Sequence, residues 1–257
     1  MGNLSFRSTT STENENGLDF HLIEETLSFN KELGIRLGSI ISRIRVILKP
    51  ETIALELEFN YERSNSRRID YTNHEQGCLM EWCQDNCHNT FKEKILNVDY
   101  AEMFMKDLDL ILRTQKSILE VFEIDFRSGH LHTIEQNQSS VLIIDQFLTK
   151  VEHVLNEKLK RERPLKVKFF SMNQIGKFQF LKILRYIDAE KIQKISISDA
   201  KERYQMLAVE CFEELEQWKK AKEVGLMYYD MSIPTQYFWS FNFVKLATKS
   251  RQKRFDS

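Results

Sequence analysis

Residues 213–224 read EELEQWKKAKEV, and this stretch decides how the second half of the chain is organised. Almost every residue in it favours helix, so the sequence predicts a helix here. One carboxylate precedes two lysines at the spacing of ion pairs along a helix: Glu216, Lys219 and Lys220. Apolar side chains recur at i, i+4 and i+7, forming a stripe of Cys211, Leu215 and Trp218. Because a surface helix rarely carries a Trp among so many charges, we predict that Trp218 is buried and anchors the helix to a sheet.

The composition is typical of a globular protein with a sizeable core. The chain has 257 residues, of which 42% are hydrophobic and 29% charged. A formal net charge of -1 provides no broad basic field, so nucleic acid is not an expected partner. The 4 cysteines are unevenly spaced, which argues against a disulfide framework.

Residues 1–17 are rich in Ser, Thr, Asn and Glu, and we expect them to form a disordered polar tail. They lack the apolar core of a signal peptide, and Phe6 stands where a myristoylation motif requires Ser or Thr. No stretch approaches the roughly 20 apolar residues of a membrane span. The sequence therefore predicts a cytoplasmic or nuclear protein with no membrane partner.

Residues 18–98 are expected to hold a short helical segment and then an antiparallel meander. The helical segment is predicted between residues 18 and 38. Hydrophobic and polar residues then alternate on both sides of a turn that contains Pro50, which predicts a hairpin with one wet face. Beyond a polar loop at 60–67, shorter strands complete a four-stranded meander. The predicted strands are 43–48, 53–59, 68–71 and 78–82.

From residue 99 onward, strand and helix alternate. Asp99 stands at the N-cap of a helix that carries Tyr100, Phe104 and Leu108 on one face. The following elements are predicted to be strand 118–124, helix 141–159, strand 165–170, helix 174–187, strand 192–197, helix 213–224, strand 226–229 and a last helix from Pro234 through Phe238, Phe241 and Val244. Such alternation favours right-handed crossovers and a parallel sheet. We predict an α/β fold in which the meander leads into an open, curved, leucine-rich-repeat-like sheet with helices on one face.

A cluster of thiols and imidazoles falls in the meander, at His74, Cys78, Cys83, Cys87 and His88. Structural zinc sites usually pair ligands two to four residues apart and repeat the pair. Here the gaps are longer and no second pair follows, so buried or idle thiols are the simpler interpretation. A metal-binding or cysteine-dependent enzyme centred on Cys78-His88 is the alternative.

No other residues point to catalysis. Asp107 and Asp109 lie on different faces of a helix and are predicted to be solvated. His130 and His132 share one side of an extended stretch, without a positioned nucleophile or carboxylate. A basic run predicts a solvated tail, or a localisation signal or contact with an acidic partner: Lys245, Lys249, Arg251, Lys253 and Arg254. We assign no catalytic, cofactor-binding or metal residue, and no cofactor.

Residues 215–222, LEQWKKAK, resemble the Gln-Trp-Lys-x-Ala-Lys signature of the FTH domain of nematode F-box A proteins. Residues 99–122 resemble the helix and following strand of the same family. The strand–helix–strand layout at 165–197 matches as well, and the hairpin at 43–59 resembles the segment that usually follows the F-box.

The resemblance implies a function in protein recognition. Members of the family join an F-box, which docks onto the Skp adaptor of a cullin ubiquitin ligase, to an FTH domain that recognises a protein partner. An F-box requires several packed helices, usually opened by a Leu-Pro pair, whereas the first proline here is Pro50. We therefore expect a missing or degenerate F-box, with Skp as a partner only if residues 18–41 form a relic of it.

The expected organisation is a polar tail at 1–17, a helical segment and meander at 18–98, an FTH-like α/β domain at 99–250 and a basic tail at 251–257. The expected function is a non-catalytic protein–protein interaction module, not an enzyme. It would correspond to the substrate-recognition part of a ubiquitin ligase adaptor.

Overall fold

Ten strands and four helices make up the part of the chain that the structure, a computed structural model, describes. That part comprises residues 40–59, 62–84, 92–115, 117–126, 138–161, 163–173, 177–198, 212, 214–227, 238 and 240–247. All of them lie in one compact unit, Ser39–Ser257. The tail and helix predicted for residues 1–38 lie outside the described residues.

The meander comes first and the strand–helix alternation follows. The meander consists of β1 (Ile41–Lys49), β2 (Thr52–Phe59), β3 (Glu62–His74), β4 (Gly77–Gln84) and β5 (Lys92–Leu96). The elements after it are α1 (Tyr100–Thr114), β6 (Leu119–Phe126), α2 (Gln138–Arg161), β7 (Val167–Asn173), α3 (Lys177–Leu184), β8 (Lys194–Ser198), α4 (Glu216–Lys220), β9 (Glu223–Met227) and β10 (Phe243–Ala247).

All ten strands belong to one open sheet in the order β10-β9-β8-β7-β6-β1-β2-β3-β4-β5. Strand β1 lies between the two halves, because it pairs antiparallel with β2 and parallel with β6. A tight turn at Pro50 connects β1 to its antiparallel neighbour β2. The chain reaches β6, the parallel neighbour of β1, only after the rest of the meander and helix α1, because parallel strands require a longer connection. The predicted α/β class, open sheet and strand–helix alternation are confirmed.

Helix α1 begins and ends where side chains satisfy its free backbone groups. Oδ1 of Asp99 accepts a hydrogen bond of 2.9 Å from the backbone N–H of Glu102, which confirms the predicted N-cap. Near the other end, the buried Lys158 of α2 donates from Nζ to the carbonyl of Leu112 at 2.6 Å. A cation at the negative end of the helix dipole is favourable, so this contact also holds α2 against α1.

Aromatic side chains join the helices to one face of the sheet. A single cross-strand row on that face contains Tyr71, Ile53, Leu48 and Phe126. Phe104 of α1 contacts Tyr71, and Phe147 of α2 contacts Phe126, with ring centroids 5.6 and 6.3 Å apart. Phe180 of α3 lies 5.2 Å from Phe170 of β7. The three longer helices therefore pack on the same face.

Further rings continue this core toward β10 as an aromatic ladder made of Phe170, Phe180, Phe212, Trp218 and Phe241. Trp218 is 2% exposed, and its ring lies 4.9 Å from that of Phe212 and 5.0 Å from that of Phe241. Its predicted burial is confirmed.

The helix predicted over 213–224 is wrong in length. Helix α4 covers Glu216–Lys220 only, and Val224 belongs to β9. The residues favour helix, but the backbone N–H groups of Lys222 and Glu223 donate to the carbonyl of Gln193 and start the pairing with β8. Tertiary pairing that buries Val224 to 1% exposure outweighs the local preference.

Two other element predictions also need correction. Val244, predicted on a last helix, lies in strand β10 and pairs in parallel with Val224 of β9. The polar loop predicted at 60–67 is largely strand, because β3 begins at Glu62 and pairs along β2. Strand β5 was not predicted, since its sequence, Lys-Glu-Lys-Ile-Leu, lacks a period-two pattern. Within the described residues, no helix is long and apolar enough to cross a membrane.

Candidate functional site

The face of the sheet opposite the helices carries one continuous row of mostly polar residues, which we name the polar row. Its members are directly paired across eight neighbouring strands, from β3 to β10. In spatial order they are Arg68, Glu56, Arg45, Glu123, Ser171, Ser196, Gly225 and Lys245. Because successive side chains of a strand point to opposite faces, the apolar neighbours of these residues supply the core.

Arg45 of β1 is the centre of the charged half of the polar row. Its Nη2 donates to Oδ2 of Asp125 at 2.9 Å. Its Nη1 lies 3.5 Å from Oε2 of Glu56, and its Nε lies 3.5 Å from Oε1 of Glu123. One guanidinium group therefore bridges the antiparallel and parallel halves at the strand they share.

Further ion pairs extend this network over the meander. Arg68 of β3 pairs with Oε1 of Glu56 and Oδ1 of Asp70, both at 2.9 Å. Arg43 of β1 pairs with Glu58 of β2 at 3.0 Å. Opposite charges on adjacent strands stabilise a sheet, so this network holds the register of β1, β2 and β3.

On the parallel side of Arg45, hydrogen bonds continue the network. The amide of Asn173 donates to Oε1 of Glu123 at 3.2 Å, and the hydroxyl of Ser198 donates to Oδ1 of Asn173 at 2.9 Å. Burial raises the pKa of Glu123 and outweighs the neighbouring Arg45, which lowers it, and the carboxylate of Asp125 raises it further. The side chain thus occupies a partly desolvated position, in which Arg45 is the main group that favours its charged form.

Toward β10, the polar row consists of small residues and ends with a basic one. Gly225 of β9 lies beside Ser196 so closely that a Cβ there would be 3.2 Å from Oγ of Ser196. The exposed Lys245 of β10 ends the row at the edge of the sheet. Sequence reasoning missed the row as a unit, because its members become neighbours only through the pairing order.

A buried polar contact lies on the other face, between α1 and the meander. The hydroxyl of Tyr71 donates to Oδ2 of Asp107 at 2.6 Å, and both side chains are buried. The prediction that Asp107 is solvated is therefore wrong. Its helix turns it toward β3, whereas Asp109 lies half-buried on α1 and pairs with Arg113. Burial raises the pKa of Asp107 to about 6, although the bond from Tyr71 lowers it.

Cys78 lies near this pair with no exposed surface. Burial, and then the charge of Asp107, raise the pKa of its thiol to about 11. A thiol that remains protonated at neutral pH is a poor nucleophile and a poor metal ligand. The position favours packing over chemistry for this member of the predicted cluster.

Of the other thiols and imidazoles of the cluster, His74 and Cys83 belong to the described strands. Nδ1 of His74 accepts a hydrogen bond of 3.1 Å from the backbone of Gln76 at the β3–β4 turn. Cys83 lies in β4. Cys87, His88, His130, His132 and the basic residues after Lys245 lie outside the described residues. Within the part of the chain described, no three His, Cys, Asp or Glu side chains are placed to hold a metal ion.

A groove of about 920 Å³ runs between α1 and α2. Met105 and Val154 line it from the two helices, and charges of both signs surround it, among them Lys106, Asp109 and Arg113. This mixture of charge selects no class of ligand.

The residues of LEQWKKAK divide between core and surface. Nε2 of Gln217 donates to the carbonyl of Ile187 at 2.8 Å and to that of Arg185 at 3.3 Å, so it holds the turn after α3. Trp218 and Ala221 are buried, whereas Lys219 is exposed and pairs with Glu216 at 2.9 Å. This segment therefore closes the core of the parallel half, and its inward residues are structural.

We compared the chain with protein families, curated proteins and solved structures. The family model of the FTH domain matches residues 145–254, from within α2 to beyond β10, and includes LEQWKKAK. No curated protein and no solved structure matches the chain. For residues 145–254, the resemblance to the FTH domain that the sequence predicted is confirmed.

Proposed function

We propose that this protein is a non-catalytic protein–protein interaction module that corresponds to the substrate-recognition part of nematode F-box proteins of cullin ubiquitin ligases. The observation that carries the proposal is the FTH match, which covers most of α2, all of α3 and α4, and the four parallel strands from β7 to β10. FTH domains are non-catalytic interaction domains in general. We propose that recognition belongs to residues 99–250.

The organisation of the sheet supports this role. Ion pairs centred on Arg45 hold the meander and the parallel strands in one register, while the aromatic ladder ties the helices to the other face. Both edges of the sheet, β5 and β10, belong to the described part of the chain. A pre-formed surface loses little conformational entropy on binding, which favours its use in recognition.

The chemistry of the buried groups supports a non-catalytic function. Enzymes place reactive groups in accessible clefts and adjust their pKa toward the working pH. Here the pKa of the Cys78 thiol moves away from neutrality, and the carboxyl of Asp107 is closed off by Tyr71 inside the core. These positions favour packing over the cysteine-dependent alternative.

We further propose a cytoplasmic or nuclear location, a protein partner, and no role in binding nucleic acid or membranes. The Skp adaptor joins this list only if residues 18–41 form a relic F-box. The division of the chain into a polar tail at 1–17, a segment and meander at 18–98 and a basic tail at 251–257 is part of the same proposal.

Affinity purification of the tagged full-length chain, followed by mass spectrometry, tests the proposal. We expect a protein partner in near-stoichiometric amount that a Trp218→Ala variant, in which the domain core is disrupted, does not retain. Removal of residues 1–38 serves as the second comparison. Skp and a cullin recovered with the full chain but not with the shortened one would place the protein in a ligase. Turnover of any substrate dependent on Cys78 or Cys83 would overturn the non-catalytic assignment.

A further inference from the structure

Strand β10 forms an edge of the sheet that differs from the opposite edge. Among the described residues, β10 has a strand neighbour on one side only, which is β9. The opposite edge strand, β5, begins Lys-Glu-Lys, and charges of this kind discourage the addition of another strand. Strand β10 reads Phe-Val-Lys-Leu-Ala and has a single charge.

Two apolar side chains of β10 are exposed, one on each face of the sheet. Phe243 is 54% exposed and Leu246 is 45% exposed, and their positions in the strand place them on opposite faces. On the face that carries the helices, the neighbouring strand is covered, since Val224 and Leu226 of β9 are each 1% exposed. The apolar core thus continues to the edge strand, where its last side chains are exposed.

Lys245 breaks the charge pattern of the polar row. Arg68 and Arg45 each face a carboxylate on an adjacent strand, and in the row next to it Lys194 faces Glu223 at 3.2 Å. Lys245 instead faces Gly225, which has no side chain. Among the described residues, no carboxylate lies within ion-pair distance of Lys245.

We propose that β10 accepts an extended segment of a protein partner as an additional strand, with a carboxylate opposite Lys245 and apolar residues next to it. This inference rests on the proposed function and names the recognition surface. Backbone hydrogen bonds to the free edge would provide affinity, and the side chains beside Phe243, Lys245 and Leu246 would provide selectivity. An aspartate or glutamate opposite Lys245 would continue the alternation of charge along the polar row.

Complete pairing of β10 with β10 of a second copy is unfavourable at this edge. Two copies related by a two-fold axis would pair β10 antiparallel with β10, and the five-residue strand is centred on Lys245. Phe243 would then face Ala247, and Lys245 would face Lys245 of the other copy. Like charges directly opposite each other destabilise a strand pair, so the edge favours a different partner with a negative charge.

Synthetic peptides provide a test that needs no natural partner. The peptide TTFVELATT reproduces β10 with glutamate at its centre, and TTFVKLATT keeps the lysine. Fluorescence anisotropy with labelled peptides and the full chain should show that the glutamate peptide binds about tenfold more tightly, because an attraction replaces a repulsion. Methylation of alternate backbone nitrogens should abolish binding, and hydrogen exchange at residues 243–247 should slow when the glutamate peptide is present.

Two variants of the chain complete the experiment. Lys245→Glu should reverse the preference, so that TTFVKLATT becomes the better ligand, whereas Lys94→Glu on β5 should leave it unchanged. No binding, equal binding of the two peptides, or binding that survives methylation would each overturn the inference. None of these results bears on whether the protein has a partner. A partner captured equally well by the wild-type chain and by Lys245→Glu would preserve the proposed function and remove β10 as its site.

Discussion

The hydroxyl of Tyr71 donates a hydrogen bond of 2.6 Å to Oδ2 of Asp107 inside the contact between β3 and α1. Tyr71 has no exposed surface, and Asp107 is 5% exposed. Burying a carboxyl group disfavours its charged form more than one hydrogen bond compensates. The contact therefore joins α1 to the meander in a way that depends on pH.

Acidification should stabilise the protein through Asp107. Its pKa is raised from its ordinary value of 3.8 to about 6 in the folded state. Between these values the folded chain holds a proton that the unfolded chain has released, so the free energy of unfolding falls as the pH rises from about 4 to about 6. The contribution is on the order of 2–3 kcal/mol. Urea denaturation across this pH range should show that Asp107→Asn removes it.

Two further variants separate Asp107 from other carboxyl groups. Asp109→Asn lies on the same helix at a half-buried position and should leave the pH dependence unchanged. Tyr71→Phe removes the bond that lowers the pKa of Asp107, so the pH-dependent transition should move to higher pH. If Asp107→Asn shows the same pH dependence of the free energy of unfolding as the wild-type chain, the effect belongs to another group.

Trp218→Ala should destabilise the domain severely. The ring is 2% exposed and lies against the rings of Phe212 and Phe241. Removing a buried Trp leaves a cavity and costs about 3–5 kcal/mol in the free energy of unfolding. Trp218→Phe should cost less, and Phe243→Ala, at an exposed position, less than about 0.5 kcal/mol. Equal losses for Trp218→Ala and Phe243→Ala in chemical denaturation would contradict this role.

Arg45→Met should weaken the junction between the two halves of the sheet. The change leaves Glu56, Glu123 and Asp125 close together without the cation they share. We expect a loss of about 1–3 kcal/mol at pH 7, and a smaller loss at pH 4, where protonation of Glu123 relieves the repulsion. Lys194→Met is the matched control, because its ion pair with Glu223 is more exposed and contributes about 0.5 kcal/mol. The same loss at both pH values would show that Arg45 acts through packing.

Gly77→Ala should destabilise the turn between β3 and β4. Gly77 has a φ of +123°, a conformation that residues with a Cβ rarely adopt. A Cβ would also collide with the carbonyl oxygen of Leu96 and lie 2.9 Å from the backbone nitrogen of Val98. Strain of this kind costs about 1–3 kcal/mol. Gly225→Ala has an ordinary φ and one close neighbour, Oγ of Ser196, so thermal unfolding should show a smaller decrease in melting temperature.

The sequence predicted most of the elements whose signal is local. The hairpin at β1 and β2, the N-cap at Asp99, the long α2 and the burial of Trp218 all follow from periodicity, capping and composition. The errors arose where pairing between distant segments decides the structure. Val224 and Val244 lie in strands because their partners, Ile195 and Val224, lie beside them in the sheet, which no local pattern reveals.

The candidate surfaces were harder to predict for the same reason. The sequence identified Lys245 as part of a basic run, but its place at the end of the polar row follows from the order of eight strands. Asp107 was predicted to be solvated because its burial depends on Tyr71, which lies 36 positions away along the chain. Local spacing carries no information about such partners.

Strand β1 pairs with strands of both halves of the sheet, so the sheet is continuous across them. The start of the FTH match at residue 145 is therefore not a position at which the chain can be divided into independent parts. A fragment limited to residues 145–254 would start partway along α2 and lack β6, leaving β7 without the neighbour that buries one of its edges. Phe170 would lose the stacked ring of Phe122. Recombinant work on the recognition region should therefore begin before Ile41, so that the parallel strands are expressed together with the meander that completes their sheet.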